Sequence, residues 1–401
     1  MQQWKLDLIA TTALAVLALL AGYRLKRHVR FFERFCIPAP VIGGFAVSIV
    51  VLLLRESGVA AVSFDTTLQT PFMVAFFTTV GIGGSLALLR TGGSTLLIYL
   101  GICWALAVFQ NVFGAGAAAL FGLDPTLGVM AGGVSLEGGH GAAAAFGPMA
   151  EQLGTRGATA VALASATFGL IAGGVLGGPL ASWLIRRYQL PIQPSSGGAP
   201  TPAYHDHEAS VTVNSDSLIA AMGLVLALMT AGTLLARQVE QRWDFVLPAY
   251  VGAMFAAIVF RNLNDRARLL RLNSAAIDAI ADISLGVFLT MAMMSLKIWE
   301  LYDLALPLLG VLSLQVIALT AISVFIAFRL LGKNYDAAVM CAGLMGHGLG
   351  ATPNAVANMS AVCQKHGATS YKAFLIIPLC GAVLIDLVAI PFHAWIINYL
   401  H

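Results

Sequence analysis

Residues 1 to 190 of this chain align, without a gap, on a second stretch of the same sequence 210 positions further on. Leu8-Ile9-Ala10 falls on Leu218-Ile219-Ala220, Ala21-Gly22 on Ala231-Gly232, Pro38-Ala39-Pro40-Val41 on Pro248-Ala249-Tyr250-Val251, and Ser85-Leu86 on Ser295-Leu296. Val129-Met130 falls on Val339-Met340, Gly133 on Gly343 and Gly138 on Gly348. One constant offset over that length marks an internal duplication, so the fold has to be one that two copies of a single unit can build together.

The copies are apolar. The chain is 59% hydrophobic and 10% charged, whereas a soluble domain carries roughly 25% charged residues. Apolar runs bounded by charges or Pro/Gly recur at the length a membrane helix needs, and they lack the alternation of a β-barrel strand. Five spans are expected in the first half, at about 6 to 23, 40 to 55, 67 to 89, 94 to 120 and 158 to 185. Five more are expected at about 217 to 236, 245 to 260, 274 to 297, 304 to 328 and 371 to 396. The expected class is an all-α polytopic membrane protein, with repeats at 1–188 and 217–401 and a linker at 189–216. Two further apolar segments, about 127–147 and 337–357, are crowded with Gly and Ala; they read as re-entrant hairpins enclosed by protein.

Lys and Arg counted loop by loop set the orientation. With the N-terminus outside, 16 of the 22 basic residues fall on the cytoplasmic side, among them Arg24, Lys26, Arg27, Arg30 and Arg34. An odd number of spans per copy then inverts the second copy relative to the first, the plan of many secondary transporters, with a solute site at the repeat interface. Both termini are expected to face the outer, periplasmic side. The first hairpin enters from that side and the second from the cytoplasm. The first span follows Lys5 and could pass for a signal peptide; the basic cluster after it and its counterpart in the second copy argue that it is retained.

Between the copies, Pro191, Pro194, Ser195-Ser196-Gly197-Gly198 and Pro200-Thr201-Pro202 read as a flexible cytoplasmic linker. His205-Asp206-His207-Glu208 within it has metal-ligand chemistry but no fixed scaffold, which favours a solvated tether. Cys36, Cys103, Cys341, Cys363 and Cys380 form no CxxC pair and read as packing residues. The net charge of +3 is accounted for by cytoplasmic loops and points to no nucleic-acid partner.

The first hairpin contains Gly132-Gly133, Gly138-Gly139-His140-Gly141 and then four alanines; the second contains Gly346-His347-Gly348-Leu349-Gly350-Ala351-Thr352-Pro353-Asn354. Two glycine clusters at matching positions predict two broken helices. The N-terminus of each second half carries unpaired N–H groups and the positive end of a helix dipole, a place for a carboxylate without a buried Arg; freed carbonyls can coordinate a cation. The bland alternative is close helix packing on small residues. Glu137, His140, His347, Thr352 and Asn354 inside apolar segments favour a binding site. His140 contacts substrate or a tip carbonyl. Glu137 is a cation ligand or proton carrier, or surfaces at the outer mouth. Asp386, inside the last span, calls for a cation or a polar partner. Gln110 and Asn111 read first as interhelical hydrogen-bonding residues, and Lys297 as a snorkelling one.

In Gly138-Gly139-His140-Gly141, Gly348-Leu349-Gly350-Ala351-Thr352-Pro353, Ala357-Asn358-Met359, Gly332-Lys333-Asn334-Tyr335-Asp336-Ala337 and Ile385-Asp386, the chain resembles the bacterial sodium/glutamate symporter family. The resemblance implies a fold similar to that of the sodium/citrate carriers: a homodimer of elevator type, in which a domain carrying both hairpins slides against a fixed one. It implies L-glutamate as solute, Na+ as coupling ion and no organic cofactor. Substrate is then expected at Gly138, Gly139, His140, Gly141, Gly348, Gly350, Ala351, Thr352 and Asn354, and sodium at Ser135, Glu137, Asn358 and Asp386. The chain departs from the family at Glu137, where a small hydroxyl residue is usual, and at His347, where an aromatic is usual. Another small carboxylate is the alternative within transport. An intramembrane enzyme is the alternative from another class, but His-Glu-x-x-His, Gly-x-Ser-x-Gly and Walker patterns are missing.

Overall fold

The computed structural model describes residues 2–34, 37–85, 93–192, 213–243, 247–302 and 304–401. In chain order it runs β1 (Gln2–Leu6), α1 (Leu8–His28), α2 (Arg30–Arg34), α3 (Ala39–Glu56), β2 (Ala60–Phe64), α4 (Gln69–Gly83), α5 (Gly93–Leu120), α6 (Pro125–Met130), α7 (Gly133–Leu136), α8 (Gly139–Gln152) and α9 (Ala158–Arg187). It continues with α10 (Ser215–Trp243), α11 (Ala249–Ala267), α12 (Ser274–Met294), α13 (Ala305–Ile322), α14 (Phe328–Leu330), α15 (Tyr335–Gly348), α16 (Thr352–His366), α17 (Tyr371–Leu379) and α18 (Asp386–Tyr399). Among the described residues seven helical stretches are long and apolar enough to cross a membrane: Leu8–His28, Ala39–Glu56, Gly93–Leu120, Ala158–Arg187, Ser215–Arg242, Ser274–Met294 and Ala305–Leu330. The protein is a polytopic helical membrane protein. The His205–Glu208 cluster and Cys36 lie outside the described residues.

The all-α class holds, and two local features add to the expected elements. β1 and β2 pair in parallel, Gln2 opposite Ala60 and Leu6 opposite Phe64, because α1 and α3 lead away from and back to the same end of the fold. The last expected span is not one helix. Pro378 removes a donor near the end of α17, and Cys380–Leu384 form a π-helical turn before α18 begins at Asp386. Trp104 Nε1 donates to the Leu384 carbonyl at 3.0 Å, filling an acceptor that the wider turn frees.

The chain forms two compact units, each drawn from both halves. The first comprises Met1–Glu33, Ile37–Ala87 and Ser210–Asp303. Here α1 crosses α3 through glycine: a Cβ on Gly22 would strike the Ala39 carbonyl, and one on Gly43 the Ala18 carbonyl. α10 crosses α11 in the same way, with Gly232 against Ala253 and Gly252 against the Gly232 carbonyl. Without a hydrophobic drive between helices in lipid, such backbone approach supplies the packing that holds them. Ala15, Val287, Met291 and Met294 form one buried cluster, and Ile82, Val225, Ala257 and Ile277 belong to another. Ile9, Leu17, Leu226 and Leu234 are exposed, the outward apolar face a bilayer requires. Arg55 lies over the Trp299 ring at 3.9 Å, and Lys297 is exposed just beyond α12.

The second unit comprises Arg34–Cys36, Leu88–Ala209 and Leu304–His401, and it holds both glycine-rich segments. Gly43→Leu forces side-chain carbons into the α1 backbone, which costs about 1–3 kcal/mol or more. Its unfolding temperature in detergent should fall by several degrees. Gly223→Leu, where nothing lies within 4 Å of the added carbon, should leave that temperature unchanged; equal effects would refute the close crossing.

Candidate functional site

The first glycine-rich segment is interrupted twice. α6 ends at Met130 and α7 starts at Gly133; α7 ends at Leu136 and α8 starts at Gly139 with Gly138 as its cap. Gly139 holds φ +62, a backbone conformation that side chains with a Cβ resist. The second segment breaks once, at Leu349–Ala351, between α15 and α16. The break comes later than the glycine cluster suggests, because its first glycines serve packing. A Cβ on Gly343 would lie 3.0 Å from Ile377, and one on Gly346 2.5 Å from Ala355. The packing reading is therefore right for Gly343 and Gly346, while Gly350 lies in the break itself.

The two tips adjoin. A Cβ built on Gly139 would lie 3.2 Å from the Gly350 carbonyl oxygen. Neither tip has a side-chain cap. The N–H groups of Gly139, His140 and Gly141 have no acceptor among the described residues. The α16 tip offers fewer, since Pro353 has no N–H and the Asn354 N–H donates to the Ala351 carbonyl at 3.0 Å.

α9 supports both breaks. Gly169, Gly173 and Gly177 recur every four residues along one face, and their missing Cβ atoms leave room for the Leu349 carbonyl, the Met345 carbonyl and Asn358 in turn. Asn354 Nδ2 donates to the Leu170 carbonyl at 2.8 Å and Asn358 Nδ2 to that of Gly173 at 2.9 Å. His140 Nε2 lies 2.9 Å from Thr167 Oγ1. Its ring is held by α9, and not by a tip carbonyl.

α5 supports them from another side, through the adjacent residues Gln110 and Asn111. Gln110 Nε2 donates to the Gly348 carbonyl at 2.8 Å, and Gln315 Nε2 on α13 donates to the Gln110 carbonyl at 2.7 Å. Asn111 Oδ1 accepts from the Val134 N–H at 3.3 Å, and its Nδ2 meets His393 Nδ1 at 2.9 Å. One amide holds the second break and the other the first, which bears out their interhelical reading. Below the second break, His347 Nε2 is 2.5 Å from Tyr99 Oη and 3.8 Å from Cys103 Sγ. A Cβ on Gly381, in the π turn, would lie 3.1 Å from the His347 ring.

Glu137, between α7 and the tip, is buried, and among the described residues neither carboxylate oxygen has a hydrogen-bond partner. It does not surface at an outer mouth. Asp386 is near enough to act electrostatically on it. Among the described residues neither carboxylate belongs to an ion pair. Ser135 donates its hydroxyl proton to the Met130 carbonyl across the first interruption. Asn358 spends its amide protons on Gly173 and Ala342 carbonyls, leaving Oδ1 as an acceptor. An isolated buried carboxylate is costly, so Glu137 needs a proton or a cation.

Of the expected residues, Gly138, Gly139, His140, Gly141, Gly350, Ala351 and Thr352 lie at the adjoining tips, Ser135 and Glu137 precede the first tip, Asn354 and Asn358 run along α16 against α9, and Asp386 opens α18. Missed were Thr167, Gln315, Tyr99 and the Gly169, Gly173, Gly177 column. The column was legible as a small residue every four positions; the other three needed the packing.

Uncapped amides where two broken helices meet, with the buried Glu137 just before one tip, are the features expected of a helical membrane carrier. The sodium/glutamate symporter family model matches residues 4–368. The sodium/glutamate symporter of Escherichia coli K12 is 41% identical over 96% of this chain and 95% of its own length. That of Haemophilus influenzae is 39% identical over 94% of each. The chain belongs to the sodium/glutamate symporter family, a family of carriers and not of enzymes.

Gly177→Leu displaces Asn358 and should lower the unfolding temperature in detergent by several degrees, for a cost of about 1–3 kcal/mol. Its neighbour Gly178, with nothing within 4 Å, should accept Leu with no change; matching effects would sink the α9 packing described above.

Proposed function

We propose that this chain is a symporter that imports L-glutamate with Na+ across the bacterial inner membrane by alternating access. The observation that carries the reading is the meeting of Gly139 and Gly350 beside the unpaired Glu137. Free amides at Gly139, His140 and Gly141, with the α8 dipole behind them, suit an anionic solute. Carboxylates without a cationic partner suit a cation. The two charges need each other: a substrate carboxylate entering beside Glu137 and Asp386 is repelled unless cations enter as well, and this dependence is what couples the two fluxes. Glu137 and Asp386 are the proposed sodium ligands, with Ser135 and Asn358 as further oxygen donors. Gly138, Gly348, Ala351, Thr352 and Asn354 complete the substrate site. No organic cofactor enters the scheme.

The same proposal takes the two halves as inverted repeats of five spans, each with a re-entrant hairpin. Helix bounds support it, since α3 starts at Ala39 and α11 at Ala249, 210 residues apart. So do the glycine crossings: Gly22 and Gly232, also 210 apart, serve equivalent helix pairs. Lys/Arg distribution supports periplasmic termini and a cytoplasmic linker at 189–216. The unit carrying both breaks is the moving body of an elevator, and the chain works as a homodimer in the lipid bilayer, by likeness to the sodium/citrate carriers. Another small carboxylate is the second reading for the solute, and Glu137 favours it, as an acid where a hydroxyl residue is usual.

Liposomes containing the protein should accumulate labelled L-glutamate when an inward sodium gradient is imposed. Replacing sodium by choline should abolish accumulation, and uptake indifferent to that exchange would reject the coupling. Gly139→Val puts a branched side chain at φ +62 against the Gly350 carbonyl. Uptake should fall at least a hundredfold while expression persists; loss of expression would return Gly139 to a packing role.

A further inference from the structure

We propose that Thr167 is a positioning residue that fixes the His140 ring so that Nδ1 accepts a hydrogen bond from the α-ammonium group of an amino-acid substrate. The inference rests on the glutamate reading above and goes further, because it says how an amino acid is told from a dicarboxylate of the same length.

Counting protons fixes the tautomer of His140. Thr167 Oγ1 lies 3.0 Å from the Leu163 carbonyl and 2.9 Å from His140 Nε2. A hydroxyl has one proton to give. The carbonyl has none, so the Thr167 proton must point at Leu163 O, or two oxygen lone pairs would face each other at that distance. The bond to His140 then requires the proton on Nε2. In a neutral imidazole this leaves Nδ1 as a bare lone pair. Nδ1 has no partner among the described residues.

His140 is the second residue of α8, in the turn whose amides are unfilled. Those amides attract a carboxylate, whereas the Nδ1 lone pair repels one and attracts an N–H donor. Acceptor and donors within one helical turn match the carboxylate and ammonium that an α-amino acid carries on a single carbon. A deaminated analogue such as glutarate fills the amides but leaves Nδ1 unpaired, and an unpaired buried acceptor costs affinity.

Two measurements decide it. The first is the ¹⁵N spectrum of the histidine-labelled wild-type protein in lipid, with the His140 signals assigned through His140→Gln. It should show the Nε2–H tautomer, and the Nδ1–H tautomer would overturn the proposal without any variant at position 167. The second is sodium-driven uptake of L-glutamate with glutarate as competitor. Thr167→Val keeps the shape and removes the hydroxyl. It should raise the glutamate KM about tenfold with little change in the maximal rate, and narrow the preference for glutamate over glutarate by a similar factor. Thr167→Ser, which keeps the hydroxyl, should retain the wild-type preference. An unchanged preference in Thr167→Val, or its loss in Thr167→Ser, refutes the positioning role. Absence of sodium-driven glutamate uptake by the wild type would instead overturn the functional reading on which the inference rests.

Discussion

Every backbone N–H and C=O inside a bilayer has to find a partner within the protein, and the second unit is organised by how it meets that demand at two broken helices. A break frees backbone groups at both of its ends. Gln110 takes the Gly348 carbonyl and Asn111 takes the Val134 N–H. Through Asn354 and Asn358, α9 ties α16 to its own backbone at Leu170 and Gly173. The amides left over, at Gly139, His140 and Gly141, sit where the tips adjoin. These free amides are where the proposed function seats the anionic solute; among the described residues Gln110 Oε1, Gln315 Oε1, His347 Nδ1 and His393 Nε2 also stay without a partner.

Glycine makes that arrangement sterically feasible in two different ways. At Gly139 the need is conformational, since φ is +62. Along α9 the need is space: Gly169, Gly173 and Gly177 let a carbonyl or an asparagine amide come where a Cβ would stand. The same residue type therefore builds the tip and the wall behind it. The glycine crossings of α1 with α3 and of α10 with α11 use the second role alone.

Charge is handled by omission. Glu137 is buried with both oxygens unpartnered, and Asp386 acts on it without an intervening cationic side chain among the described residues. A permanent Lys or Arg there would neutralise the carboxylates in every state and remove their need for a mobile ion. In the proposed function, leaving them unpaired is what makes cation and anion binding interdependent, the physical basis of symport.

Much of this was legible in the residues. The 210-residue offset and the apolar runs foretold where helices lie, because helix periodicity and membrane length act locally along the chain. Glycine density foretold two breaks, and adjacent polar residues in mid-span, Gln110 and Asn111, foretold interhelical hydrogen bonds. Other features depend on what lies across the fold. The parallel β1–β2 pair joins residues about sixty positions apart, and the π turn at Cys380–Leu384 is moulded around His347. The division of the second glycine cluster into packing residues and a tip depends on Ile377 and Ala355. Likewise the partner of His140 is Thr167, on α9, 27 residues further along the chain. Sequence by itself determined a helical membrane chain with two glycine-rich weak points, because those properties are summed over neighbours in the chain. Only the tertiary structure decided that the weak points meet and which of their polar groups stay free, because hydrogen bonding is settled between helices that sequence distance does not relate.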